Sequence, residues 1–253
     1  MHTDTKYTAS EQQMLNISKK TNLLKQFNNK QIHNKQIHNK QIHNKQIHTN
    51  CHSENCDSVP IVYVVKTNNN ILPNVSNDNI NAISLGNVCW SAVWAVNNNL
   101  RTDRAMGYKT CPFDLMISNY EGVVKCINDD FKYFCDLEYL KYVDGEGLVQ
   151  NTYYNFRFNH ESPSHTELYL REKWTEGKYH YVHNNFKRFI ERYSARIQNF
   201  RDYLNNKEGT TILFCIHFKW NNCPLDDLLD LRNALNSKYP ALKYKILILP
   251  DQE

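Results

Sequence analysis

The chain is predicted to hold one α/β (or α+β) domain over residues 59–253, a single mixed sheet with flanking helices and a C-terminal β-α-β unit. Three observations carry this expectation. β-rich runs at 61–65, 82–85, 211–218 and 244–249 alternate with stretches whose apolar residues recur at helical spacing. The last three elements run strand, helix, strand, which makes the two strands parallel by a right-handed crossover. The first 58 residues differ in character: Asn-Lys-Gln-Ile-His is repeated four times between Asn29 and His48.

That repeat cannot build a core. A five-residue period advances about 140° per copy on a helical wheel and alternates faces on a strand, so neither state gathers the isoleucines into one stripe. Residues 1–58 are therefore expected to be a low-complexity, disordered tail, with at most a short helix at 10–27. The charge is divided in the same way. The formal net charge is +4, and the tail holds 8 Lys against 4 Asp+Glu while the remainder carries 22 basic and 22 acidic residues. A neutral body without a basic run argues against a nucleic-acid-binding domain, which needs clustered Lys and Arg.

The N-terminus is polar, and no apolar run reaches the roughly 18 to 20 residues of a membrane span, so an intracellular protein without membrane insertion is expected. In that setting the eight cysteines read as free thiols. No CxxC pair occurs, and the tail's His33, His38, His43 and His48 beside Cys51, His52 and Cys56 match no zinc spacing, so neither a metal site nor a cofactor is expected.

Taken in order, the body begins with a strand at 61–65, an Asn-rich loop at 68–81, a strand at 82–85 and a helix at 88–99. Pro112 ends any helix and places Asp114 on a loop or strand end. A helix is predicted over 118–134, with Ser118 as N-cap and Glu121 three residues on. Residues 137–149 read as irregular, and 152–158 as β-like alternation that delivers His160. Phe186, Phe189, Ile190, Tyr193, Ile197, Phe200 and Leu204 then mark an amphipathic helix whose other face carries Lys187, Arg188, Arg192 and Arg201. Pro224 opens the crossover helix of the final β-α-β unit.

One stretch invites chemistry. In Ile83-Ser84-Leu85-Gly86-Asn87-Val88-Cys89-Trp90 an apolar strand stops at a glycine and restarts as a helix with a cysteine in its first turn. Free amide N–H groups and the helix dipole favour a thiolate there and can hold an oxyanion. The alternative is a small buried hydrophobe on a core helix. Of the histidines in the body, His160 follows a rigid segment, His217 lies within a strand and reads as a sheet residue, and His165, His180 and His183 lie in a polar connection.

Five pieces together resemble a family of unknown function catalogued as papain-like cysteine peptidases and found in bacteria and large DNA viruses. They are Ile83-Ser84-Leu85-Gly86-x-x-Cys89, Pro112-Phe113-Asp114, Phe156-x-Phe158-x-His160, Tyr193-x-x-Arg196-Ile197-x-x-Phe200, and a final hydrophobic strand. The resemblance implies Cys89 as nucleophile, His160 as general base and Asp114 as orienting acid. Trp90 after Cys89 is similar to the papain signature, but no glutamine stands six residues upstream to complete an oxyanion hole, so Asn87, or the N–H groups of Val88 and Cys89, would have to serve. The chain departs from the family pattern at Leu115, where the family has Trp, and at Glu161, where it has Asp. Asp114 also precedes His160, whereas papain-type enzymes place the third residue after the His. The expected function is a cysteine-dependent hydrolase or acyltransferase acting on an amide or ester of a protein or small acyl substrate. The rival is a catalytically inactive interaction or structural protein on the same fold. Neither the substrate nor the oligomeric state is written in these residues.

Overall fold

The structure, a computed structural model, describes residues 62–64, 79–205, 209–217 and 228–249, all within a unit spanning residues 53–253. The repeat tail, the short helix expected at 10–27, most of the Asn-rich loop and Pro224 lie outside these residues.

The class is α/β, with the strands divided between two sheets. The first is parallel and joins β1 (Val62–Val64), β7 (Tyr244–Leu249), β6 (Thr211–His217) and β2 (Ile80–Ser84) in that order. In β6 residues 212–216 are all buried, as expected of a parallel strand covered on both faces. The covering follows the pleat. Ala82, Leu213, Cys215, Leu247 and Leu249 pack with Ala95 of α1 (Trp90–Asn97), while Ile83, Phe214, Ile216, Ile246 and Ile248 join the core under the longer helices. The crossover expected at the C-terminus is present: β6 and β7 pair in parallel across α5 (Leu229–Lys238).

The second sheet is antiparallel and joins β3 (Leu140–Val143), β4 (Leu148–Asn151) and β5 (Phe156–Phe158). The sequence reading took 137–149 as irregular and 152–158 as one strand; the structure has a hairpin in the first and a broken strand in the second. Asn151 accounts for the break. Buried at the end of β4, it donates its amide to the carbonyls of Tyr133 and Phe134 and accepts the N–H of Tyr154, which turns the chain before β5.

Two helices also differ from expectation. The helix expected over 118–134 is α2 (Tyr120–Asn128), capped by Asn119, whose Oδ1 accepts the Gly122 N–H at 2.7 Å. It stops early because Asp130 and Phe131 take left-handed φ values. Ser118, released from capping, serves the Cys89 loop. After the short α3 (Leu168–Arg171), α4 (His183–Leu204) is helical in φ/ψ from residue 187 onward and buries Phe189, Tyr193, Ile197, Phe200 and Leu204, together with one cation, Arg196.

Candidate active site

β2 ends against β6, with Ser84 opposite Cys215. Because the strands are parallel, the segments leaving both emerge at the same edge of the sheet, the position where open α/β sheets bind ligands. The chain leaving β2 crosses that edge in three consecutive positive-φ residues: Gly86 at 100°, Asn87 at 66° and Val88 at 106°. Gly86 is obligatory, since a Cβ there would lie 2.0 Å from Ser118 Oγ. At Val88, a β-branched residue, this conformation is strained.

A set of neutral hydroxyls holds the strained turn. Ser84 Oγ lies 2.7 Å from Ser91 Oγ and accepts the Gly86 N–H, and Ser91 Oγ donates to the Gly86 carbonyl. Ser118 Oγ donates to the Leu85 carbonyl and accepts the Asn87 N–H at 2.9 Å. The Val88 N–H donates to the Met116 carbonyl. The turn delivers Cys89 to the N-cap of α1, half-buried, with a free thiol and no side-chain capping bond.

These bonds bear on the expected oxyanion hole. The N–H groups of Asn87 and Val88 both brace the turn, donating to Ser118 Oγ and the Met116 carbonyl. The Cys89 N–H has no acceptor among the described residues, and the Trp90 Nε1 is buried without one. The Asn87 side chain is directed elsewhere, with Nδ2 3.2 Å from His217 Nδ1.

His217 is the last residue of β6, half-buried, and its ring also stands edge-on to Trp90, with centroids 4.8 Å apart. It thus touches Asn87, two residues before Cys89, and Trp90, the residue after it. Reading it as an interior sheet residue missed this. The available signal was topological: once β2 and β6 are paired in parallel, their last residues must meet.

His160 lies in a 3₁₀ turn after β5. The Cys89 loop reaches this region through one layer of backbone. Val88 bonds Met116, and Ile117 bridges Arg157 in β5. The His160 ring is 5.0 Å from that of His165, and its Nε2 is buried without a partner. Burial pushes its pKa below the ordinary histidine value, opposed by the neighbouring Glu161 carboxylate, so the ring is neutral at pH 7.

Asp114 is buried in a 3₁₀ turn opened by Pro112. Its Oδ2 accepts the Cys111 N–H at 2.8 Å and its Oδ1 accepts from Arg101 Nη1 at 2.9 Å. No hydrogen bond joins Asp114, His160 and Cys89 among the described residues. The carboxylate instead ties down residues 101–111. The other motif acid, Glu161, is fully buried, and accepts from Tyr193 Oη at 2.9 Å and Arg196 Nη1 at 3.1 Å. Arg192 Nε lies 2.9 Å away in an ion pair without hydrogen-bond alignment.

A family model described as "Putative papain-like cysteine peptidase" matches residues 80–253. The chain belongs to this family. The match begins at β2 and so takes in the strained turn, Cys89, the Asp114 turn, His160 and His217. Neither a curated protein nor a solved structure matches the chain. Sequence reasoning assigned no role to the buried cations Arg101 and Arg196, which pair with Asp114 and Glu161. Among the described residues, no helix is long and apolar enough to cross a membrane.

Proposed function

We propose that the protein is a cysteine-dependent acyl-transfer enzyme, a hydrolase or acyltransferase, in which Cys89 is the nucleophile. The observation that carries this is the backbone. Three left-handed residues in succession, one of them a valine, present a half-buried thiol at a helix N-terminus on the ligand-binding edge of a parallel sheet. A cysteine kept only for packing needs no such strain.

The chemistry follows from the groups present. An imidazole takes the Cys89 proton, and the thiolate forms a C–S bond to an amide or ester carbonyl. The oxyanion is met by the Cys89 N–H at the positive end of α1. The imidazolium returns its proton to the departing amine or alcohol, leaving a thioester. Water or another acceptor then displaces Cys89.

Two imidazoles compete for the role of base. His217 is favoured by its contacts with Asn87 and Trp90, which flank Cys89. To act through Nε2 it must carry its proton on Nδ1, with the Asn87 side-chain amide turned to present Oδ1 to that proton. His160, the base implied by family resemblance, is favoured by its neutral state and its partnerless Nε2. Asp114 then acts by holding the residue 101–111 segment.

The test is mass spectrometry of the intact protein after exposure to an acyl probe for reactive cysteines. One label on the wild type that is lost in Cys89→Ser supports the reading, whereas equal labelling of both sinks it in favour of an inactive member of the same fold. Labelling slowed about 100-fold by removing the base is the usual scale of such a contribution. The slower of His217→Ala and His160→Ala names the base.

A further inference from the structure

A concave site formed by α4 and the segment before Pro112 is independent of the Cys89 chemistry. It encloses about 330 Å³ and is lined by Arg104, Tyr108, Lys109, Arg192, Arg196 and Asn199, together with Thr110. Four of these side chains are cationic and none is acidic. Behind the wall Glu161 is paired to both Arg192 and Arg196, and Asp114 acts on Arg196 from the side of the adjoining groove. Neither Arg104 nor Lys109 has an ion-pair partner among the described residues, so the lining of the site carries an excess of positive charge.

That excess is placed where solvent compensates it poorly. The Arg196 side chain is 6% exposed and uses one donor on Glu161, leaving its other N–H groups without a partner among the described residues. Arg192 directs Nη1 to Tyr181 Oη. The Tyr108 hydroxyl is buried beside the Cys111 thiol, on a ring that stacks against Tyr203 and lies 3.9 Å below the Arg101 guanidinium. Asn199 Nδ2 bonds the Thr110 carbonyl and so ties α4 to the opposite wall. A buried guanidinium with spare donors and two cations at the rim without ion-pair partners among the described residues seek the same ligand property, several acceptor oxygens carrying more than one negative charge.

We propose that this site binds a phosphate dianion, either as inorganic phosphate or as a phosphate monoester. A carboxylate brings one negative charge and two oxygens, whereas a phosphate dianion brings two charges and three or four oxygens. The adjoining groove shares Arg104, Tyr108 and Thr110 and continues along Ala92, Val93 and Val96 of α1, with Asp103 and the Arg101–Asp114 pair also on its wall, giving room for the uncharged organic part of an ester.

Isothermal titration of the full chain at low salt with phenyl phosphate, inorganic phosphate and benzoate tests this. Phenyl phosphate or inorganic phosphate should bind, with benzoate at least tenfold weaker; whichever phosphate binds tighter identifies the monoester or the free ion as the ligand. Arg104→Gln and Lys109→Gln each remove one charge-assisted contact and should weaken phosphate binding about tenfold. Both side chains are on exposed residues, so the melting temperature should hold. Asn199→Asp, which adds a negative charge to the wall, should weaken it at least as much. Phosphate affinities within twofold across wild type and all three variants, benzoate binding equal to phenyl phosphate, or no heat with either phosphate would overturn the proposal.

Discussion

Two strand ends in this molecule, residues 85–90 after β2 and residues 158–162 after β5, are built on opposite plans. The first is strained, braced by neutral serines and half open to solvent. The second is a closed clasp in which Glu161, fully buried, is met by a tyrosine hydroxyl and two guanidinium groups. A reactant can approach the first. In the second the ionic groups are already engaged with one another, and breaking them costs stability first. The difference teaches that a motif residue's burial and partners, more than its place in the motif, separate chemistry from scaffolding. Sequence resemblance gives Cys89, Asp114 and His160 equal standing. The structure gives Asp114 two partners, the Cys111 N–H and Arg101.

The largest effect should come from the clasp. Glu161→Ala leaves Arg196 buried without its carboxylate and is expected to cost about 3 to 5 kcal/mol, the scale for breaking one side of a buried ion pair. Urea unfolding measures it. A loss below about 1 kcal/mol would mean that the ionic clasp adds little to stability and that the contrast with the open strand end is false.

Next is the brace. Gly86→Ala forces a Cβ onto Ser118 Oγ at a φ of 100° and should cost on the order of 2 to 3 kcal/mol. Adding Ser118→Gly removes the obstructing hydroxyl and should recover part of that loss, so the two changes are non-additive. Strict additivity would show that the turn is not held through Ser118.

Much of this arrangement was legible in the sequence, and the rest was hidden for physical reasons. Period-two and helical patterns located β2, β6, β7 and the long α4, because each buries a continuous apolar face. Gly86 and Cys89 stood out because a glycine between a strand and a helix has few other purposes. Asn151 was not legible: a polar residue that ends a strand by bonding carbonyls 17 and 18 residues away leaves no local pattern. Ser118 was misread as a helix cap because its true partners, Leu85 and Asn87, are distant in sequence. His217 lay outside the expected site because only sheet pairing brings it to Asn87. The charged face of α4 read as solvated, and Lys187 and Arg188 do pair at the surface, but Arg192 turns in toward Glu161.

A smaller effect separates the two strand ends by pH. Burial lowers the His160 pKa, so the folded state binds fewer protons than the unfolded state below the ordinary histidine value of about 6.5. Its contribution to stability is therefore complete above that pH and is lost as pH falls toward the depressed folded value. His160→Asn should flatten the fall in stability of the wild type on acidification below pH 6.5. One proton limits the difference in slope to about 1.4 kcal/mol per pH unit. Parallel stability curves would mean that the His160 ring is protonated equally in both states.

The smallest change in stability bears most directly on the open strand end. Val88 holds a φ of 106° and is 37% exposed, so its side chain contributes little burial to offset the strain. Strain of this kind costs on the order of 1 to 3 kcal/mol, while a glycine adds roughly 0.5 to 1 kcal/mol of unfolded-state freedom. Val88→Gly should therefore raise stability by about 1 kcal/mol, one of few positions where a glycine stabilises. If the strain serves to aim Cys89, the same variant should acylate more slowly, because the thiol then samples directions that the valine forbids. Greater stability with unchanged labelling would leave the strain real and detach it from reactivity. Lower stability would show that the turn around Cys89 is relaxed, and the distinction between the two strand ends would rest on charge alone.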